Sequence, residues 1–248
     1  MEDAISPASS GAFVTVAQVC NNHRVPTELF PYETITLQKL KDQGYAPAVI
    51  FDIGASNGVW SDTIALTLPE AEYHLFEPLA GAVPFYERDL RERLGRHPNF
   101  HLHAIALSDH SGTAEMFATH DAWGSSLLDR GEVPEVKERV VVPLHTLDVF
   151  VREHNLPLPK VMKLDTQGAE RRILSGAQQT IRTADILFVE TWLTRSYGPD
   201  TPLLTEMVDL LASAGFTLVE LGEQFRDQRR RVYSVDAVFF SDRFISSL

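Results

Sequence analysis

Cysteine is almost missing from this 248-residue chain: Cys20 is the only one, so no internal disulfide can form and a reducing compartment is expected. Nothing in the sequence around Cys20 would lower a thiol pKa, so it is not expected to act as a nucleophile. Long apolar runs are absent too; none approaches the ~20 residues that span a bilayer. The start, Met1-Glu2-Asp3-Ala4-Ile5-Ser6-Pro7, lacks the basic beginning and apolar core of a secretion signal, and a cytoplasmic location is expected. Positive charge is short: 22 Lys and Arg against 34 Asp and Glu leave a net charge of −12, which argues against nucleic acid as a partner. The nine histidines show no metal-ligand spacing. No internal repeat or low-complexity tract occurs.

What is present is the composition of an ordinary globular protein, 44% hydrophobic, at a length that suits one large α/β domain with a sizeable core. Its most informative stretch is Val49-Ile50-Phe51-Asp52-Ile53-Gly54-Ala55-Ser56-Asn57-Gly58. An apolar run ends in an acid and breaks into small residues, and helical spacing resumes at Val59, Ile64, Ala65 and Leu68. This predicts a buried parallel strand, a tight turn and a helix whose free N–H groups face the turn. Glycine at Gly54 and Gly58 lets the backbone approach a ligand. Ser56 stands where the second glycine of G-x-G-x-x-G would fall, and Val59-Trp60 follow Gly58 where a P-loop needs Lys and Ser or Thr. The dinucleotide and P-loop fingerprints are thereby excluded. What remains, D-x-G-x-x-x-G, is the pattern of S-adenosylmethionine (SAM)-dependent methyltransferases; the plainer alternative is a turn whose glycines serve packing.

A second strand, Tyr73-His74-Leu75-Phe76-Glu77-Pro78, also ends in an acid, and proline stops it. Twenty-five residues separate Asp52 from Glu77, enough for one crossover helix. A carboxylate at that strand end can accept hydrogen bonds from both ribose hydroxyls. Along the rest of the chain, residues 1–44 are expected to form a loose arm and a short helix, Thr34 to Lys41, and residues 45–248 the main domain. Strands are expected at 49–53, 72–77, 100–105, after a turn at Ser111-Gly112 through Phe117, and at 161–165, 186–190, 216–221 and 235–240. Helices are expected at 87–94, from Thr146-Leu147-Asp148 to before Pro157, at 170–181 and at 202–214. Residues 119–138 are expected to be loop. The link from 222 to 234 is too short for a helical crossover, so the last two strands should pair antiparallel. The fold class expected is α/β and Rossmann-like: a mostly parallel seven-stranded sheet, a C-terminal antiparallel hairpin, and helices on both faces.

The densest chemistry lies in Val161-Met162-Lys163-Leu164-Asp165-Thr166-Gln167-Gly168-Ala169-Glu170. A lysine inside an apolar strand needs an acidic partner or lines a pocket. Ligands of open α/β sheets bind at the carboxyl ends of strands, which is where Asp165 and Glu190 fall. Asp165 is the first candidate for the base, Glu190 the second. Both are hard oxygen ligands that suit Mg²⁺, but no third ligand can be named and no metal is predicted. His101 and His103 alternate along one strand and are taken as surface or packing residues; His120 and His145 sit near loops that can cover a site. Trp123-Gly124-Ser125-Ser126 is either a ligand-contacting loop or a connector. Trp192 is either an apolar wall for a substrate or a capping aromatic. Arg226 with Arg229-Arg230-Arg231 is read as a solvated turn, with attraction of an anionic substrate as the alternative.

Taken together, the blocks Phe51–Ala55, Phe76–Pro78, Ala106-Leu107-Ser108-Asp109, Gly124-Ser125-Ser126-Leu127, Thr146-Leu147-Asp148 and Lys163–Glu170 with Gly176-Ala177 resemble the FkbM family of SAM-dependent methyltransferases over residues 48–242. The resemblance implies O-methylation of a hydroxyl on a polyketide-type natural product or a glycan sugar. It implies that Asp52, Gly54 and Gly58, with Ala55, Ser56 and Asn57 between, hold the methionine part of SAM. Glu77 with Pro78 would hold the ribose, and Leu107, Ser108 and Asp109 would border the adenine, with Asp165 at the reactive end. Ser125, Lys163, Gln167, Glu170 and Trp192 are the expected acceptor contacts. The expected partners are a small-molecule or glycan acceptor and, at most, a second copy of the chain as a homodimer. The competing readings are N- or C-methylation, a binding protein without catalysis, and a nicotinamide-dependent oxidoreductase. Asp165-Thr166-Gln167-Gly168 is not the Asn/Asp-Pro-Pro-Tyr tetrapeptide typical of nitrogen methylation.

Overall fold

The computed structural model describes residues 29–82, 84–119, 124–129 and 136–248. The loose arm expected over the first residues, Cys20, His120 and Trp123 lie outside them.

Seven strands form one sheet: β1 (Val49–Ile53), β2 (Glu72–Phe76), β3 (Phe100–His103), β7 (Val161–Leu164), β8 (Ile186–Trp192), β9 (Phe216–Arg226) and β10 (Val232–Ser241). Their order is β3-β2-β1-β7-β8-β10-β9, and every pairing up to β8 is parallel. β10 runs antiparallel to both β8 and β9, as the short link predicts. β1, β7 and β8 are buried along their whole length, which is why they are near-continuous apolar runs rather than alternating ones. The chain moves outward from β1 to β3 and then returns to the other side of β1 at β7. The order therefore reverses between β1 and β7, and that is where a doubly wound sheet opens a crevice at its carboxyl edge.

Helices α1 (Pro31–Asp42), α2 (Val59–Thr67) and α3 (Pro84–Arg96) belong to one side of the chain's first half. Leu37 and Leu40 of α1 join Trp60, Ile64 and Ala65 of α2 and Ile50, Tyr73 and Val161 of the sheet in one buried cluster, so α1 docks on the domain. A second cluster includes Phe51, Met162, Leu164, Leu187 and Phe239 on the strands. Leu147, Phe150 and Val151 of α4 (Leu147–His154), Ile173 and Leu174 of α5 (Glu170–Ser175), and Met207 and Leu211 of α6 (Leu204–Ser213) complete it. A short helix, α7 (Asp242–Ile245), closes the chain.

Four expectations are corrected. The interval 119–138 is not all loop: β6 (Val136–His145) begins inside it and pairs antiparallel with β5 (Gly112–Thr119) and parallel with β4 (Ala106–Leu107) as a separate three-stranded sheet. The charged run Lys137-Glu138-Arg139 and Pro143 hide its strand pattern, and Pro143 is tolerated because β4 reaches only Leu144 and His145. The helix expected to Ile181 stops at Ser175. A Cβ on Gly176 would lie 2.1 Å from the Ser108 carbonyl oxygen, and the Asp148 carboxylate captures the next turn by accepting from Gln179 N, Thr180 N and Thr180 Oγ1; a one-turn 3₁₀ helix follows at Ile181–Thr183. α3 starts at Pro84, which suits a first-turn position, and runs through Gly95. The closing strands reach Arg226 and Val232, leaving only a tight turn. There Asp227 Oδ1 accepts from the N–H groups of Arg229 and Arg231, and its carboxylate pairs with the Arg231 guanidinium at 2.7 Å. The arginine run is a solvated turn face.

Candidate active site

Two loops meet at the switch point. The first, after β1, carries three residues with left-handed backbone: Gly54 (φ 79°), Ser56 (φ 52°) and Gly58 (φ 79°). The second, after β7, carries Gln167 (φ 58°) and Gly168 (φ 99°). Left-handed backbone at Ser56 and Gln167 is uncommon for such residues and persists only where the surroundings fix it. They are pressed together: a Cβ on Gly54 would stand 1.9 Å from the Asp165 carbonyl oxygen. The N–H groups of Gly54 and Ala55 both donate to the Phe76 carbonyl, which ties the first loop to the end of β2.

Lys163 holds this junction from beneath. Its ammonium lies 3.2 Å from Asp52 and 3.6 Å from Asp165, and donates to the Gly54 carbonyl at 2.8 Å. Burial alone would lower its pKa; the Asp52 and Asp165 carboxylates outweigh burial and hold it above the ordinary lysine value. Asp52 is fully buried, accepts from Ser61 Oγ at 2.7 Å, and is consumed by this pair. Replacing Lys163 by Met removes the partner of a buried charge, and such losses cost about 3–5 kcal/mol. A urea titration of that variant should show the midpoint falling accordingly, and a loss below about 1 kcal/mol would mean the pair is not structural.

A narrow slot opens above the junction. One wall is Gly54, Ala55 and Ser56; its floor is Glu77 and Pro78; its far side is apolar, with Ile105, Ala106, Leu107, Met116 and Leu127. Glu77 accepts from Ser56 N at 2.7 Å with one oxygen and from Leu79 N at 2.9 Å with the other. Burial pushes its carboxyl up to about 7 in spite of those two donors. Each of its oxygens keeps a second lone pair for a ligand hydroxyl. An apolar slot ending in such a carboxylate fits a nucleoside: base between apolar walls, vicinal hydroxyls at the acid.

A wider cavity of about 960 Å³ adjoins the slot, and Trp60, Lys163, Asp165 and Gln167 line both. Gln167 bridges two acids in it: its Nε2 donates to Asp165 Oδ1 at 2.9 Å and to Glu190 Oε2 at 3.0 Å. Its own Oε1 accepts the Tyr197 hydroxyl. Burial, then the nearby Asp165 and Glu170 carboxylates, push Glu190 well above the ordinary carboxylate range. The two carboxyls expected to flank one crevice are therefore brought together, with a fixed amide between them. Trp192 is buried and also lines the cavity, edge-on to Tyr197 with ring centres 5.0 Å apart.

Several expected contacts sit elsewhere. Asp52, Asn57 and Gly58 do not line the slot. Asn57 Oδ1 accepts from Val59 N just before α2, and its carbonyl accepts from Arg93. Leu107 faces the slot, whereas Ser108 is buried with its N–H donating to the His145 carbonyl, and Asp109 is exposed and paired with His110. Glu170 is fully buried beneath the second loop. One of its oxygens accepts from Thr166 N, Thr166 Oγ1 and Gly168 N; burial raises it to about 7. It shapes the loop and lines neither cavity. Ser125 lines the slot and Gly124 the wider cavity. His103 packs against His74, and His101 lies at the sheet edge. Among the described residues no cluster of three His, Cys, Asp or Glu is arranged to hold a metal ion, and no helix is long and apolar enough to cross a membrane.

Sequence reasoning missed Glu33, Trp60, Tyr197, Glu223 and Asp236, all lining the wider cavity. Asp236 had a readable signal, an acid inside the apolar run Val235–Phe240, of the same kind that singled out Lys163. Glu33 and Glu223 had none, because α1 and the hairpin reach the cavity only through the tertiary fold.

Residues 52–218 match the methyltransferase FkbM domain. The chain is 25% identical over 178 residues to the 2-O-methyltransferase NoeI of Sinorhizobium fredii, covering 66% of this chain and 71% of that protein. Among solved structures it resembles the methyltransferase FkbM from Methylobacillus flagellatus, with a TM-score of 0.51 at 15% identity over 77% of this chain. It spans 43% of that longer chain. It also resembles a putative O-methyltransferase from Klebsiella pneumoniae, with a TM-score of 0.50 at 11% identity, over 85% of this chain and 80% of that one. With its fold, its two loops and its match across two thirds of its length, the chain belongs to the FkbM family of methyltransferases.

Proposed function

We propose that this methyltransferase transfers the methyl group of SAM to a hydroxyl of a small molecule or glycan sugar, with the acceptor in the wider cavity. The observation that carries this is the Asp165–Gln167–Glu190 bridge where the nucleoside slot opens into that cavity. SAM supplies a methyl already activated as a sulfonium. Glu77 would hold its ribose hydroxyls, and the Ile105–Leu107 wall its adenine. The protein's remaining tasks are to align an oxygen nucleophile and to take its proton. Alignment is worth up to about 7–11 kcal/mol in well-oriented systems. A sugar or alkyl hydroxyl is a poor acid, so a carboxyl pair within reach of it is the group such a reaction calls for. The proton would pass to that pair as the oxygen takes the methyl. Similarity to a 2-O-methyltransferase supports oxygen as the nucleophile; the Mg²⁺ alternative finds no third ligand among the described residues.

The test is transfer from labelled SAM to a panel of hydroxylated sugars and macrolides, with and without chelator, alongside calorimetric titration with SAM and with NAD. SAM binding with labelled O-methyl product supports the reading. Products labelled only on nitrogen or carbon, or NAD binding in preference to SAM, would overturn it.

A further inference from the structure

The wider cavity is acidic beyond anything methyl transfer to a neutral hydroxyl requires. Glu33 from α1, Glu190 from β8, Glu223 from β9 and Asp236 from β10 all line it, and none forms an ion pair among the described residues. The cations within reach are already engaged: Lys163 by Asp52 and Asp165, and Arg231 by Asp227. Asp236 stands directly opposite Glu190 in the β8–β10 ladder, a like-charge pairing that destabilises a sheet. Glu33 is 6% exposed, lines the cavity and has no side-chain partner among the described residues. Burial holds its carboxyl up near 7, with Glu223 and Asp165 adding to that and Lys163 opposing it. Asp236 is likewise raised, first by burial and then by Glu33, Asp165 and Glu223. A fold gains nothing from three carboxyls, Glu33, Glu190 and Asp236, held without an ion pair in one half-dry chamber, with the exposed Glu223 at its edge. A ligand that brings a positive charge would satisfy them.

The rest of the lining agrees. Aromatic rings of Trp192, Tyr197, Tyr233 and Phe225 stand around the same space, and the Trp192 ring stacks with Tyr233 at 6.1 Å. Carboxylates set among aromatic faces are a combination that retains ammonium groups, since ring faces attract cations as carboxylates do. An anionic acceptor, such as a sugar nucleotide, would meet the carboxyls of Glu33, Glu190 and Asp236, with the cations Lys163 and Arg231 already engaged.

We propose, on the methyltransferase reading above, that the acceptor carries a protonated amine beside its hydroxyl: an amino sugar or similar hydroxyl-bearing cation, held by Glu33, Asp236 and the aromatic walls. Anionic acceptors are refused.

The test is calorimetric titration of the full chain, saturated with S-adenosylhomocysteine, with glucosamine, glucose and glucuronate at pH 7. Glucosamine should bind at least tenfold more tightly than glucose, and glucuronate more weakly than either. Runs in buffers of different ionisation enthalpy should show protons released on glucosamine binding, because a cation draws the raised carboxyls into their charged form. The Glu33→Gln/Asp236→Asn variant should lose the preference for glucosamine while melting no lower than the native protein, since it removes buried like charges. Glu33→Gln alone should lose part of it. Equal binding of glucose and glucosamine, no binding of glucosamine at millimolar concentration, or a preference unchanged in the double variant would each overturn the proposal. S-adenosylhomocysteine binding to the free chain, titrated before the sugars, leaves the methyltransferase reading standing if the amine preference fails. Glucosamine binding with no affinity for S-adenosylhomocysteine would instead count against the cofactor.

Discussion

Glu190→Gln and Asp165→Asn each lower the turnover number for methyl transfer by about 10²–10⁴-fold, the usual worth of general-base assistance, while affinity for S-adenosylhomocysteine changes only a few-fold. The expectation rests on geometry: both carboxyls sit within 3.0 Å of one Gln167 amide, where the nucleoside slot opens into the wider cavity. The sign of the pH dependence follows. Burial and the Asp165 charge hold Glu190 well above the ordinary carboxylate range, so at mildly acidic pH Glu190 carries a proton and cannot take the one from the acceptor. In the native protein kcat/KM should therefore rise with pH through a limb above the usual carboxylate range and then level. Glu190→Gln removes the group held above the ordinary range, and what activity remains should no longer show that limb. Measuring kcat/KM against pH for the two variants, on the acceptor found by labelled transfer, separates a proton-handling role from a positioning one. If Glu190→Gln keeps full turnover and an unmoved limb, the pair is not the base.

The sequence makes part of this site legible because part of it is local. Asp52, Gly54, Gly58 and Glu77 sit at strand ends that apolar runs announce, and the Lys163–Glu170 block shows an ionised residue where a strand interior should be apolar. Those signals place two loops at one edge of a parallel sheet. They do not say which side chains face the ligand. Asp52 illustrates the gap: the pattern suggests a ligand contact, yet its carboxylate is turned inward to Ser61 and Lys163, because a buried lysine has to be compensated somewhere. Glu170 fails in the same way, spent on holding Thr166 and Gly168. β6 escaped notice since its charged start and Pro143 break the alternation by which a strand is recognised. The acids of the wider cavity come from α1, β8 and the β9–β10 hairpin, three places distant in the chain, and no spacing rule joins them.

Gly54→Ala should be the most damaging single methyl group that can be added to this protein. Two effects combine there. Gly54 has φ 79°, a conformation that costs a residue with a Cβ about 1–3 kcal/mol. The added Cβ would also stand 1.9 Å from the Asp165 carbonyl oxygen and 2.9 Å from its carbonyl carbon, both main-chain atoms of the second loop. A flexible side chain could swing aside; main chain cannot without shifting Asp165 and the Lys163 hydrogen bond to the Gly54 carbonyl. Gly58 supplies the control. Its φ is also 79°, but a Cβ there first meets the end of the Leu90 side chain at 3.0 Å, which can yield. The backbone cost is therefore common to both variants, and the collision with main chain belongs to Gly54 alone. Gly58→Ala should lose about 1–3 kcal/mol of stability. Gly54→Ala should lose more than about 4 kcal/mol, a size seen only when a named structural feature is broken, and S-adenosylhomocysteine affinity should fall at least 100-fold. Urea denaturation and calorimetry on the pair test this directly. Equal losses in the two variants would show that the φ angle alone sets the requirement for glycine, and that the contact between the two loops yields more readily than its geometry implies.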